Sequence, residues 1–292
     1  MNVHADSFFA IGRSHLGSGK PCQDYAMSDV HNGGELAFAV VSDGCSSGRN
    51  TDVGARLLVL ATAQVVREYW AATQEITLYS TLAVLAKRQD RVREVQSLLG
   101  MTQDDMLATS MFVCVSQCCG LVRVQGDGVV ALKYRDGSIV MTRYEWPQNA
   151  PFYPTYLVEG IDAFVEFQGG DVDAKVVRAC SWAINSEGIY TKVSSDLHSI
   201  ATGIRGFHTF FNIGDEVEYV AIFTDGVTQI ENVDWKDAVR SFMGFKTTAG
   251  EFAKRRMITG IKETQKVGKG PMDDISYAVI HIKKDSADGG VS

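Results

Sequence analysis

Leu36-Ala37-Phe38-Ala39-Val40-Val41 is apolar at every position and runs directly into Ser42-Asp43-Gly44. A strand without polar alternation has no solvent face, so it belongs inside a sheet covered on both sides. The same arrangement recurs at Val220-Ala221-Ile222-Phe223, which leads into Thr224-Asp225-Gly226. It appears in reverse at Asp273-Asp274, which precede Ile275-Ser276-Tyr277-Ala278-Val279-Ile280. Two aspartates end an apolar strand and one begins it. If the third strand runs antiparallel to the other two, all three carboxylates reach one edge of the sheet.

Strands are expected over residues 7–11, 36–41, 109–116, 120–125, 129–134, 219–223 and 275–282. Asp24 starts or just precedes a further short strand. Arg135-Asp136-Gly137-Ser138 is a hairpin turn leading to another. Helices are expected over 51–70, with Asn50 or Thr51 as cap, over 78–99, and over 249–266. Strands, a helical pair, many strands, helices and a final strand do not alternate as βαβ, which makes the class α+β rather than a doubly wound parallel sheet. No linker or repeat divides the chain, so residues 1–283 form a single domain and the polar, Gly-rich residues 284–292 a flexible tail.

The 292 residues are 45% apolar with a net charge of −7, an ordinary globular composition with no basic patch for nucleic acid or anionic membranes. No apolar stretch approaches membrane-spanning length. Met1 to Ala10 lacks a basic region followed by an apolar run. The six cysteines include no CxxC pair and no neighbouring histidine cluster, so a zinc site is not expected. The expectation is a reduced, cytoplasmic protein.

Carboxylates gathered at one edge repel each other and are costly to desolvate, and divalent cations remove that cost. An all-oxygen donor set suits Mg²⁺ or Mn²⁺. Two such ions can activate a bridging water and stabilise charge on a phosphoryl group. Asp-Gly is also an ordinary turn pair, and the chain has five. Asp136 belongs to the hairpin turn and Asp288 to the tail. Asp43 and Asp225 are set apart by following buried strands; Asp127 sits in the tight Gly126-Asp127-Gly128 turn.

In order along the chain stand Gly12-Arg13-Ser14-His15 with Gly19-Lys20-Pro21-Cys22-Gln23-Asp24, Val41-Ser42-Asp43-Gly44, Ala108-Thr109-Ser110 through Gly126-Asp127-Gly128, Phe223-Thr224-Asp225-Gly226-Val227, and Asp273-Asp274-Ile275-Ser276. Together these resemble the motif series of type 2C (metal-dependent, PPM) protein phosphatases, in their divergent bacterial subclass, from about Ile11 to Ile282. The resemblance implies a four-layer αββα sandwich with two central, mainly antiparallel sheets and a metal site at one end. It implies a protein serine/threonine phosphatase with two Mn²⁺ or Mg²⁺ ions. Asp43 would bridge the two, Gly44 would offer its carbonyl to one, and Asp225 and Asp273 would complete the other. Asp24 would act near the second ion through water, and Asp127 with Asp225 would hold a weaker third. Asp274, in the family's Asn position, is not expected among the ligands. Residues 146–212 correspond to a flap-type insertion beside the site. Implied partners are phosphoserine and phosphothreonine proteins and, by analogy with some bacterial relatives, a cognate Ser/Thr kinase and a von Willebrand A domain protein.

There are departures. Gln23 stands where many relatives have Glu, Gly128 replaces a Ser, and Cys45 replaces the His of eukaryotic members. The usual phosphate-binding Arg is absent from its place, which Gly19 occupies; Arg13, His15 and Lys20 are the replacements within reach, and the choice among them stays open. His15 is also a candidate for acid–base work. These departures keep a second reading alive, a pseudophosphatase or scaffold that binds a phosphoprotein or kinase. A third is a two-metal enzyme acting on another phosphate ester.

Overall fold

A computed structural model of the chain describes residues 1–214, 216–266 and 268–283. The expected tail, 284–292, lies outside the described residues. The strands are β1 (Val3–Ala10), β2 (Asp24–His31), β3 (Leu36–Asp43), β4 (Ser110–Ser116), β5 (Cys119–Gln125), β6 (Gly128–Tyr134), β7 (Ile139–Glu145), β8 (Lys175–Ile184), β9 (Tyr190–Ser199), β10 (Phe207–Asn212), β11 (Val217–Phe223) and β12 (Ile275–Ile282). The helices are α1 (Arg13–Ser18), α2 (Thr51–Thr73), α3 (Leu78–Leu99), α4 (Tyr156–Glu159), α5 (Ile161–Phe167), α6 (Ile200–Arg205), α7 (Trp235–Phe242) and α8 (Phe252–Gln265).

One sheet has seven strands in the order β1-β12-β11-β6-β7-β8-β9 and the other five, β10-β5-β4-β3-β2. Every pairing is antiparallel. Their inner faces meet through Val41, Met111, Val113 and Val122 on one side and Val130, Val220, Ile222 and Ile280 on the other. The outer face of the five-stranded sheet packs Phe38, Val40 and Phe112 against Val59, Ala63 and Val66 of α2 and Val84 of α3. The outer face of the seven-stranded sheet packs Phe223, Tyr277 and Val279 against Val239 and Phe242 of α7 and Phe252 and Met257 of α8. The result is the αββα sandwich. Sandwiching between a sheet and a helix layer also explains why β12 is buried at all eight positions and shows no alternation.

The expected strands and long helices form, with β1 starting four residues earlier than expected and α2 running three residues further. α3 opens with a capping box in which the Ser80 amide bonds Thr77 Oγ1 at 3.0 Å and the Thr77 amide bonds Ser80 Oγ at 2.6 Å. Asn50 occupies the cap position of α2, but its side-chain amide donates to Asp105 instead. Within 146–212, β8 and β9 extend the seven-stranded sheet beyond β7, β10 extends the five-stranded sheet beyond β5, and α4 and α5 lie in the stretch before them. Among the described residues, no helix is long and apolar enough to cross a membrane.

Candidate metal centre

Antiparallel pairing brings the aspartates together. Asp24 opens β2 and Asp43 closes β3, and the two are cross-strand partners. In the opposing sheet Phe223, near the end of β11, pairs with Tyr277, near the start of β12, so Asp225 and Asp273 emerge side by side. Asp127 arrives in the turn between β5 and β6. Asp43, Gly44, Asp127, Asp225 and Asp273 line one small cavity of about 50 Å³, with Cys45, Ser46, Asn149, Pro151 and Tyr153.

Asp24 sits behind that cavity and is 2% exposed. Its Oδ2 accepts a 2.6 Å hydrogen bond from Thr224 Oγ1, the residue before Asp225, so this contact spans the two sheets. Thr224 Oγ1 in turn accepts from the Ser276 amide at 2.9 Å. Gln229 Nε2 donates to Asp225 Oδ2 at 2.9 Å and to Asp273 Oδ2 at 3.2 Å, holding those two carboxylates at one level.

Burial raises the proton affinity of Asp24, Asp43, Asp127 and Asp225. It pushes Asp24 up to about 8 against the pull of the Thr224 hydroxyl, with the charges of Asp274 and Asp225 adding to the rise. Asp43 and Asp127 are pushed well above the carboxylate range by burial and then by their acidic neighbours. Burial and Asp273 raise Asp225 to about 6. Asp24 Oδ1 and Asp127 Oδ1 are buried with no protein partner. A buried, unpartnered carboxylate oxygen is costly, and a proton or a divalent cation would satisfy it. The donor set is oxygen throughout, which fits Mg²⁺ or Mn²⁺.

The glycines of the motifs have packing reasons. A Cβ on Gly226 would collide with the Asp274 carbonyl, so the β11 and β12 ends can approach only if this residue is glycine. Gly128 has φ +131°, and a Cβ there would lie 2.5 Å from the Phe223 carbonyl oxygen, which leaves no room for the serine expected of relatives.

Other candidates fall elsewhere. His15 lies on α1, not at a strand end, and its Nδ1 bonds Asp274 Oδ2 at 2.8 Å, while Nε2 is 4.0 Å from Asp273 Oδ1. Asp274 also accepts from the Gly12 amide at 2.7 Å and the Gln23 amide at 2.5 Å. His15, Asp273 and Asp274 offer ligand atoms within 4.8 Å of one another, but both Asp274 oxygens are already engaged. Arg13 is exposed and pairs with Glu231 at 3.0 Å. Lys20 Nζ donates to the Ser46 carbonyl at 2.8 Å, bracing the loop after Asp43. Gln23 donates its side-chain amide to Thr51 Oγ1 at 2.6 Å, at the start of α2, and to the Cys45 carbonyl at 3.5 Å.

Asn149, Pro151 and Tyr153 were not identified from the sequence. They lie in an irregular, proline-punctuated stretch with no periodic signal, tied down where Trp146 Nε1 donates to the Gly126 carbonyl at 3.1 Å. Arg143 on β7 was also missed: its charge pulls down on Asp127 and Asp225, against the dominant effect of burial, while it pairs with Glu145 at 2.9 Å. Burial alone would raise the Cys45 thiol, but hydrogen bonds from Ser47 and Tyr153 hold it below its ordinary value.

The family model described as Protein phosphatase 2C matches residues 11–258. Solved structures with the same fold include the serine/threonine phosphatase Stp1 from Staphylococcus aureus, at 11% identity and TM-score 0.54, covering 97% of this chain and 96% of that one. The S. agalactiae serine/threonine phosphatase is similar at 14% identity and TM-score 0.54, covering 97% of this chain and 100% of that one. A bacterial serine phosphatase is similar at 12% identity and TM-score 0.55, covering 98% and 100%. No curated protein sequence matches the chain.

Proposed function

The chain belongs to the protein phosphatase 2C family, and from that premise we propose that it hydrolyses phosphoserine and phosphothreonine monoesters at a two-metal aspartate site. The observation that carries this reading is the convergence of Asp43, Asp127, Asp225 and Asp273 on one cavity, with Asp24 behind them and two carboxylate oxygens left unpartnered.

Asp43, Gly44, Asp225 and Asp273 would hold the two ions, Asp24 would act through water, and Asp127 with Asp225 would hold a weaker third. Bound there, Mn²⁺ or Mg²⁺ supplies activated water and neutralises phosphoryl charge. The protein's own part is positioning. Gln229 aligns Asp225 with Asp273, and Thr224 orients Asp24. The hydroxyl of Tyr153, whose proton affinity burial raises further, is a proton-bearing group in the wall of the cavity. The substrates are phosphoproteins. A cognate Ser/Thr kinase and a von Willebrand A domain protein are partners by analogy with bacterial relatives.

Hydrolysis of p-nitrophenyl phosphate with Mn²⁺, Mg²⁺ or EDTA, by wild type and Asp225→Asn, tests the reading. Turnover that needs a divalent cation and is lost in the variant supports it. Folded protein that turns over nothing with either metal sinks it.

A specific observation favours the second reading, a pseudophosphatase. No lysine or arginine lines the aspartate cavity among the described residues: Arg13 pairs with Glu231, Lys20 is bonded to the carbonyl of the cavity-lining Ser46, and Arg143 acts on Asp127 and Asp225 through its charge from outside the lining. Phosphopeptide or kinase binding without turnover would establish it.

A further inference from the structure

The aspartate cavity adjoins a larger groove of about 410 Å³. Cys45, Asn149, Pro151 and Tyr153 line both. The far wall is apolar, built from Leu107 on one side and Tyr156, Ala163, Phe164 and Phe167 of the α4–α5 stretch on the other. Among the described residues, no aspartate, glutamate, lysine or arginine lines it. Phe164 is 5% exposed and anchors α5 in a small core with Trp146 and Phe152. Phe167 is 61% exposed, and Leu157 and Ile161 in the same stretch are exposed too. Phe167, a large apolar side chain left in water in the wall of an apolar groove, makes this the kind of surface that meets a partner.

We propose that this groove selects the substrate by taking a large apolar side chain of the phosphoprotein, one or two residues from the phosphorylated serine or threonine. The inference rests on the phosphatase reading and deepens it. The occupant follows from continuity. An extended chain advances about 3.3–3.6 Å per residue, so a polypeptide whose phosphate reaches the aspartates carries its nearest neighbours past the shared wall. The chemistry of the occupant follows from the lining. An acidic side chain in this groove would lose water and find no counter-charge, whereas leucine, methionine or phenylalanine would remove its own apolar surface and that of Phe167 from water. An acidic neighbour would meet the aspartate cluster as well.

The test uses the full chain with Mn²⁺ and three substrates: p-nitrophenyl phosphate, a phosphoserine peptide with leucine and phenylalanine at the two positions on either side, and the same peptide with glutamate there. The apolar-flanked peptide is expected to exceed the acidic one in kcat/KM by at least about tenfold, the scale on which apolar pockets discriminate. Ala163→Asp, at an exposed position of α5, is expected to lower the ratio of kcat/KM for the apolar peptide to that for p-nitrophenyl phosphate about tenfold. Equal kcat/KM for the two peptides, with p-nitrophenyl phosphate turned over, overturns the groove and leaves the phosphatase reading standing. A preference that Ala163→Asp does not alter overturns it too, since selection then lies elsewhere. Absence of any p-nitrophenyl phosphate turnover removes the phosphatase reading and this inference with it.

Discussion

Asp24 and Asp43 face each other as cross-strand partners at the ends of β2 and β3, and the Thr224 hydroxyl, from the other sheet, reaches Asp24 at 2.6 Å. The carboxylate cluster therefore straddles the gap between the two sheets. Its electrostatics bear on how the sandwich holds together as well as on chemistry.

The metal-free protein should lose stability as pH rises. Asp24 is raised from 3.8 to about 8 and Asp225 from 3.8 to about 6, each mainly by burial. Between the ordinary carboxylate range and those values the folded state holds protons that the unfolded chain has released, so stability falls with increasing pH across that window. In EDTA, Tm should decline from pH 5 to 8.5. With Mn²⁺ at 100 times its Kd the protein gains about 2.7 kcal/mol, and the decline should flatten. A Tm in EDTA that climbs over this range would contradict the placement of these carboxylates.

Asp225→Asn should separate stability from function. Removing one buried charge relieves repulsion with Asp273, so the metal-free variant should melt at or above the wild-type temperature. Its Mn²⁺-dependent turnover should fall by more than about 100-fold, the upper end of the cost of losing even an outer-shell partner at metal sites. Calorimetry with and without Mn²⁺ should show the ligand-induced rise in Tm reduced. A variant that melts well below wild type in EDTA would show that Asp225 holds the fold rather than an ion.

Adjacent aspartates should behave differently. Asp274 accepts from the Gly12 and Gln23 amides and from His15, tying α1 and the start of β2 to β12. Asp274→Ala should cost about 3–5 kcal/mol, as loss of one member of a buried charged network does. Asp273→Ala should cost little stability and most of the metal-dependent activity. Urea unfolding of the two variants decides the matter, and the reverse ranking would exchange their roles.

Thr224→Val keeps the shape of the side chain and removes the hydroxyl that donates to Asp24 and accepts from the Ser276 amide. Thr224 is buried, so the orphaned groups should cost about 1–3 kcal/mol. Less restraint on Asp24 should also weaken Mn²⁺ binding. Denaturant unfolding and a metal titration by isothermal calorimetry measure the two effects, and a variant with unchanged midpoint would show the bond contributes nothing net.

The central strands and the long helices were legible in the sequence because their signals are local. A strand buried on both faces must be apolar throughout, as β3 and β12 are, and an aspartate-glycine pair at such a strand's end marks where the chain turns. β9 and β10 carried no such mark. Tyr190–Ser199 is largely exposed and polar, and Phe207–Asn212 is an edge strand with alternate residues in water. What makes them strands is pairing with β8 and β5, a long-range fact that composition does not encode.

Residue types and placement along the chain were enough to single out Asp43, Asp225 and Asp273, and the resemblance drawn from the motif series supplied Asp24, Gly44 and Asp127 with roles. Where each side chain points was decided only by tertiary structure. Asp273 and Asp274 are neighbours, yet one lines the cavity and the other is consumed by backbone amides, because consecutive residues near a strand face opposite ways. Arg13, His15 and Lys20 were equal candidates for a phosphate, and their fates turned on Glu231, Asp274 and the Ser46 carbonyl, which only the folded chain brings near. A carboxylate's chemistry belongs to its residue type, but its neighbours, its burial and hence its charge belong to the packing of two sheets.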